Sequence, residues 1–369
     1  EEIAIAENPE RSVLLNSFPV KPELDYVFGD ARPEGAATME VAPGVHWIRM
    51  AIPIPGLDYI NLWLLEDGDG WTIVDTGIKS RDITAWWEEI FETKLAGKPV
   101  KRVICTHFHT DHVGQAGWLT DRWNCMLWMS LGEWAFGRTM ALDVAERVPE
   151  DVIDHYRRIG YSEEMLEALR ERGFHRVSKM MTPIPRAFRR LTHEQRFKIG
   201  PNTWRVIVGR GHSPEHVALF CENLNVLISG DQVLPAITPH IGVYPAEPDA
   251  NPLALYLETL DNFRPLPDDV LVLPAHGDPF RNLHARINYL QDHHRARLKA
   301  LWHAAPEWAS IRELLPYLFR RELGPEDMPL AFSEAISHIH MLIARGRMER
   351  RMGEDGVYRY RSAGLDKAA

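Results

Sequence analysis

Three imidazoles and a carboxylate fall within six consecutive residues, His107-Phe108-His109-Thr110-Asp111-His112. Nitrogen and oxygen donors gathered on one bend suit divalent cations, which ionise water near neutral pH and so permit hydrolysis. The preceding Val103-Ile104-Cys105-Thr106 reads as a short buried strand after the break at Gly97-Lys98-Pro99, so the donors begin where a strand ends. Asp111, followed by Val113, Gly114 and Gln115, is expected to open a helix and cap its free amides at the positive end of the dipole. Such a loop can hold two cations but cannot complete their coordination. The same form, an apolar strand running into a turn with a ligand-type residue, recurs at Asp75-Thr76-Gly77, at Gly209-Arg210-Gly211-His212, at Ser229-Gly230-Asp231 and at Pro274-Ala275-His276. Five strand ends facing one rim would build a site on a rigid scaffold.

Over roughly Val41 to Asp278 these motifs, in this order, resemble those of the metallo-β-lactamase superfamily, specifically its glyoxalase II-like or β-lactamase-like-2 branch. The resemblance implies an α/β four-layer αββα sandwich. It further implies that His107, His109 and His212 hold one metal, that Asp111, His112 and His276 hold the other, and that Asp231 bridges them. Asp75 is expected to orient a ligating imidazole from behind without touching metal. The most familiar β-lactamases place a Cys at the second metal, whereas this chain has Asp231, with Cys221 ten residues upstream in an apolar run. An all-nitrogen-and-oxygen set favours two zinc ions and is compatible with iron or manganese.

Two cations sharing Asp231 would share a water ionised near pH 7, and that hydroxide is the expected nucleophile. Asp111 and Asp231 are the catalytic carboxylates of this scheme, Asp111 orienting the hydroxide and relaying its proton. The chemistry suits a thioester, ester or lactone, which the acidic main domain and an apolar insert favour. A metal-dependent nuclease or phosphodiesterase is the alternative; a mononuclear iron oxidoreductase like the persulfide dioxygenases, and a non-catalytic DNA-binding regulator, are the remaining readings. No motif for binding a glutathione tripeptide is present in the C-terminal helices.

Composition narrows the field. A net charge of −10 argues against a nucleic-acid partner, since phosphate affinity rests on clustered Lys and Arg. No apolar run approaches a membrane span. Three widely spaced cysteines fit a reducing compartment, and Glu1-Glu2-Ile3-Ala4 lacks the basic start and apolar core of a secretion signal, so a cytoplasmic protein is expected. The expected partner is a small acyl substrate, with a helical appendix that could support a homodimer.

Residues 1–40 read as an extended arm, 41–280 as the catalytic domain with a helical insert over about 130–190, and 281–369 as a winged-helix-like domain. In the insert, Trp134, Phe136, Met140, Met180, Met181 and Phe188 either pack it onto the sandwich or wall an apolar substrate pocket. Residues 281–369 carry 15 Lys and Arg against 11 Asp and Glu, yet the expected third helix, Leu330 to Ala344, offers Ser333, Glu334, Ser337, His338 and His340 and only a late Arg345 for DNA contact. A packing or substrate-capping role is favoured for this domain. His240 and Tyr244, on the loop after Asp231, are possible substrate contacts. His216 is expected behind the ligands or in the core, placed by its spacing on a helical face with His212. Cys105 reads as a buried hydrophobe, Asp278 as a turn cap and His293-His294 as part of a solvated or interdomain helix face.

Overall fold

Alternating apolar residues on neighbouring strands divide between two different cores, which fixes a layered architecture. The computed structural model describes residues 18–364 except Pro55, His175 and Arg320. Strands β1 (Thr38–Ala42), β2 (Val45–Ala51), β3 (Tyr59–Asp67), β4 (Gly70–Val74), β5 (Val100–Ile104), β6 (Met126–Met129) and β7 (Phe188–Arg190) form one sheet in that order, antiparallel up to β4 and parallel beyond. Strands β8 (Arg196–Ile199), β9 (Asn202–Gly209), β10 (His216–Cys221), β11 (Val226–Gly230) and β12 (Leu271–Pro274) form the second. In β3, Trp63 and Leu65 face the second sheet while Leu62 and Leu64 face outward; in β10, Val217 and Leu219 face the first sheet while Ala218 and Phe220 face outward. Strands buried on both faces need continuous apolar sequence, as these have.

Each outer face is covered by helices, giving the αββα order. Helix α1 (Arg81–Thr93) starts where Ser80 Oγ accepts the Ile83 N–H, and it buries Ile83, Trp87 and Ile90 on the first sheet beside α3 (Ala116–Trp123). A single turn, α2 (Thr110–Val113), precedes α3. The insert supplies α4 (Leu131–Leu142), α5 (Glu150–Arg158), α6 (Glu163–Arg172) and α7 (Arg176–Lys179) between β6 and β7. Over the second sheet lie α8 (Pro252–Thr259) and the long α9 (Leu283–Ala304). Among the described residues no helix is long and apolar enough to cross a membrane.

The C-terminal region has the anticipated three helices and hairpin: α9, α10 (Ile311–Leu318), α11 (Met328–Ala344) and the antiparallel pair β13 (Met348–Met352) and β14 (Tyr358–Ser362). Every residue of α11 from Ala331 to Leu342 is buried, so Ser333, Glu334, Ser337, His338 and His340 face protein on all sides. Of the solvated or interdomain face expected for His293-His294, the solvated alternative is corrected for His294. It is fully buried, with Nδ1 3.1 Å from His338 Nε2, because α9 packs against α11 there. The described part of the N-terminal arm lies along the sandwich, with Asp25 bridged to Arg281 and Lys21 donating to the Ala236 carbonyl. Arg32 pairs bidentately with Asp278 at 2.7 and 2.6 Å, so Asp278 anchors the arm rather than capping a turn.

Candidate metal centre

The donors converge because parallel and antiparallel strands of both sheets end at one edge. Asp75 follows β4, the His107–His112 loop follows β5, His212 follows β9, Asp231 follows β11 and His276 follows β12. Gly211 permits the approach of its loop to α8: it sits at φ +94°, and a Cβ there would lie 2.4 Å from the Pro252 carbonyl.

Two clusters of donor atoms result, one of His107, His109, His212 and Asp231, the other of Asp111, His112 and His276. In the first, His107 Nε2 is 2.9 Å from His109 Nδ1 and 3.2 Å from His212 Nε2, while His212 Nε2 is 3.4 Å from Asp231 Oδ2. In the second, Asp111 Oδ2 is 3.3 Å from His276 Nε2 and 3.6 Å from His112 Nε2. The other oxygen of Asp231, Oδ1, lies 3.6 Å from His276 Nε2 and 3.7 Å from His112 Nε2. Ligands about 2.1 Å from a tetrahedral ion stand roughly 3.4 Å from one another, which matches these separations. Asp231 therefore turns one oxygen to each cluster. Asp111 caps no amide, contrary to expectation, and its single helical turn aims the carboxylate into the cluster.

The donors fit cations on a second ground. His112 Nε2, His276 Nε2 and Asp231 Oδ1 are buried without any hydrogen-bond partner, a costly arrangement that a metal ion would relieve. The opposite ring nitrogens are fixed: with Nδ1 as donor, His212 bonds the His240 carbonyl at 2.8 Å, His276 bonds the Tyr59 carbonyl at 2.9 Å, and His112 bonds Asp75 Oδ2 at 2.8 Å. Asp75, at φ +60°, also accepts the Thr106 N–H and hydroxyl, and Thr106 Oγ1 is 3.0 Å from His107 Nδ1. One carboxylate thus steadies a ligand in each cluster. Asp75→Asn is expected to weaken binding of both ions, by about 10- to 100-fold, as followed by competition with a chromogenic chelator.

Electrostatics agree with this picture. Burial lowers His107 well below the usual imidazole range, helped by His112 and His109, and burial with His212 brings His109 down to about 3. Burial opposes ionisation of Asp111, but His112 and His276 outweigh it and hold the carboxyl at about 2. Burial would also lower His112, yet Asp111, Asp75 and Asp231 drive it up to about 10. A field that holds an extra proton so firmly also favours a dication at that place.

His216 lies at the start of β10, not on a helix with His212. Its Nε2 accepts the Asp231 N–H at 3.0 Å, and Gly230 leaves the space, since a Cβ there would come within 2.5 Å of that nitrogen. Beside His212 opens a cleft of about 140 Å³ walled by Phe108, Phe136, Pro214, Tyr244 and Leu255. Of the expected apolar wall, Phe136 lines this cleft, and Tyr244, expected as a substrate contact from the loop after Asp231, lines it too. Trp134 and Met140 are not among the residues lining the cleft: the Trp134 ring stacks on Phe188 at 4.4 Å and donates to the Pro185 carbonyl, and Met181 is buried in the core outside the first sheet. The His240 ring also turns from the cleft to Ser333, Nε2 to Oγ 3.1 Å, leaving its carbonyl to hold His212. Glu133, which sequence reading passed over, is fully buried and bonded to both ligand loops; a lone acid in the apolar run Leu131-Gly132-Glu133-Trp134-Ala135-Phe136 was its one signal.

Comparison with known proteins identifies the family. The metallo-beta-lactamase superfamily matches residues 55–276, more than half of the chain, and a metallo-beta-lactamase-like C-terminal domain matches residues 296–363. The chain belongs to the metallo-β-lactamase superfamily. It is 44% identical to a beta-lactamase domain protein from Burkholderia ambifaria whose crystal structure superposes with a TM-score of 0.85, covering 96% of this chain and all of that one. A metallo-beta-lactamase family protein from Thermus thermophilus is 27% identical with a TM-score of 0.73, covering 88% of this chain and 100% of that chain. A probable metallo-hydrolase, YqjP of Bacillus subtilis (strain 168), is 23% identical over 310 residues, covering 80% of this chain and 92% of that protein.

Proposed function

We propose that the protein is a dinuclear metallo-hydrolase that cleaves an acyl ester, thioester or lactone with an apolar acyl group. The observation that carries this reading is the Asp231 carboxylate, with one oxygen toward each ligand cluster. When bound, two divalent cations, with zinc favoured by the donor set, supply Lewis acidity and ionise water near neutral pH. The chain's own residues do the rest. His107, His109 and His212 would hold one ion, Asp111, His112 and His276 the other, while Asp75 and the carbonyls of His240 and Tyr59 keep the imidazole lone pairs aimed. Phe108, Phe136, Tyr244 and Leu255 exclude water from the acyl portion and favour an apolar group beside His212.

A carboxylate shared by both clusters supports two ions over the single iron of an oxidoreductase. A nucleic-acid substrate is disfavoured by the burial of α11, whose polar residues pack inside the protein. The zinc-loaded protein, presented in parallel with acyl thioesters of graded chain length, lactones, aryl esters and RNA, is expected to turn over acyl substrates and leave RNA intact. RNA cleavage with no acyl turnover would reverse the assignment, and one iron per chain would point to oxidation instead.

A further inference from the structure

Glu133 lies in the first turn of α4, a helix of the insert, and is fully buried. Its Oε2 accepts the N–H of Phe108 at 3.0 Å, the residue between His107 and His109. Its Oε1 accepts the Ser213 hydroxyl at 2.7 Å and the Glu215 N–H at 2.6 Å, on the loop that carries His212. The first loop leaves a strand of the seven-stranded sheet and the second a strand of the five-stranded sheet, so one carboxylate ties the two sheets together at the metal edge. The tie is reciprocal. Ser130 donates its hydroxyl to the Glu215 carbonyl at 2.8 Å, and Glu215 Oε2 accepts the Gly132 N–H at 2.8 Å. Gly132 leaves room for that contact, since a Cβ there would lie 3.1 Å from the Glu215 side chain and require it to give by a few tenths of an ångström. The same helix presents Phe136 to Phe108, ring centroids 4.8 Å apart, at the wall of the cleft.

We propose that Glu133 is a positioning residue for the His107, His109 and His212 trio alone, setting the spacing between the two loops that supply it and aligning α4 with the cleft. No bond of Glu133 reaches the loops of His276 or the side chains of Asp111 and His112. The proposal rests on the two-cation reading of the site. Backbone amides and a hydroxyl are all donors, so the carboxylate can accept from every one of them, whereas a glutamine must turn its NH₂ toward one of the two loops. The effect of neutralisation should therefore fall on one ion, because only the His107, His109 and His212 trio takes donors from both of the loops that Glu133 ties together.

The test is a zinc or cobalt titration of the full chain as wild type, Glu133→Gln, Glu133→Ala and Ser213→Ala, read by calorimetry and by the visible cobalt spectrum, with thermal unfolding of each metal-free protein alongside. Wild type is expected to take two equivalents. Glu133→Gln and Glu133→Ala are expected to keep one at wild-type affinity and to weaken the other by about 10- to 100-fold, with Ser213→Ala weakening the same equivalent less. Should Glu133→Ala fold poorly, Glu133→Gln preserves the volume and carries the reading. Two equivalents at wild-type affinity in the Gln variant, or equal weakening of both with a lower unfolding temperature, would overturn the proposal. A wild-type protein that takes one equivalent would overturn the two-cation reading itself, and the site-selectivity claimed for Glu133 with it.

Discussion

Asp231→Ala is expected to cut turnover by about 10³-fold or more, the scale of losing a principal electrostatic element of a catalytic site, and to leave at most one tightly held ion per chain. Asp231 is the residue whose two oxygens face both clusters, and its position is imposed from three sides. His216 accepts its N–H, Gly230 makes room for that ring, and the β11 and β12 strands run in parallel into the edge where it stands. Removing the carboxylate leaves His112, His212 and His276 in place but takes away the negative charge between them. Metal content by inductively coupled plasma mass spectrometry, measured beside kcat, decides the matter. A variant retaining two ions and near-normal kcat would eliminate the shared-carboxylate scheme. Asp231→Glu is the useful companion, since it restores charge with the wrong reach.

Metal affinity should depend steeply on pH, and stability should move the other way in the metal-free protein. His112 is driven up to about 10 by Asp111, Asp75 and Asp231, so in the absence of metal it carries a proton that an entering cation must expel. The affinity of its site is then expected to rise about tenfold per pH unit from neutrality toward pH 10. The linkage sign follows from the same elevation. A folded-state value above the ordinary 6.5 gives stability that is fully present below pH 6.5 and is lost as pH climbs through about 10. In the loaded protein a cation occupies that place and the loss is removed. Differential scanning calorimetry with and without zinc across this range should show a gap in Tm that widens as pH rises. A gap of constant width would mean that His112 is neutral in the metal-free protein and that the surrounding carboxylates act otherwise.

The candidate ligands that the structure brings together were legible in the sequence because each sits where an apolar run meets a turn, and the strand ends are local features. The resemblance to a known family then supplied what local pattern could not, the four-layer αββα sandwich, and the structure shows β5 and β9 in different sheets whose edges meet. What escaped was set by contacts distant in sequence. The ring of His240 is claimed by Ser333, 93 residues away, and Trp134 by Phe188 and Pro185, so apolar or polar type alone could not say which side chains face the cleft. His216 lies buried behind Asp231 as expected, and only the helical face that a spacing of four allowed is not found, since a strand begins there after Ser213-Pro214. For His293-His294 the helix pattern left a solvated and an interdomain face open, and packing decided against solvent for His294: α11 comes from 44 residues on to bury it against His338, with Tyr256 of α8 also packed on its ring. Asp278 carried no sign of its partner, Arg32, which lies in a segment whose course only tertiary contacts define.

The loop from Asp231 to Asn251 spans one side of the cleft with little regular structure of its own, and the C-terminal helices are its trellis. Arg286 of α9 donates to the carbonyls of Leu234 and Ile237, Ser333 of α11 meets His240 and accepts the Val243 N–H through its carbonyl, and His340 bonds the Ala250 carbonyl. Because the His240 carbonyl in turn holds His212, drift in α11 is felt at a candidate ligand through two bonds. The appendage and the sandwich are therefore bound to change in step, and the shape of the cleft can be altered by substitutions in helices that do not line it.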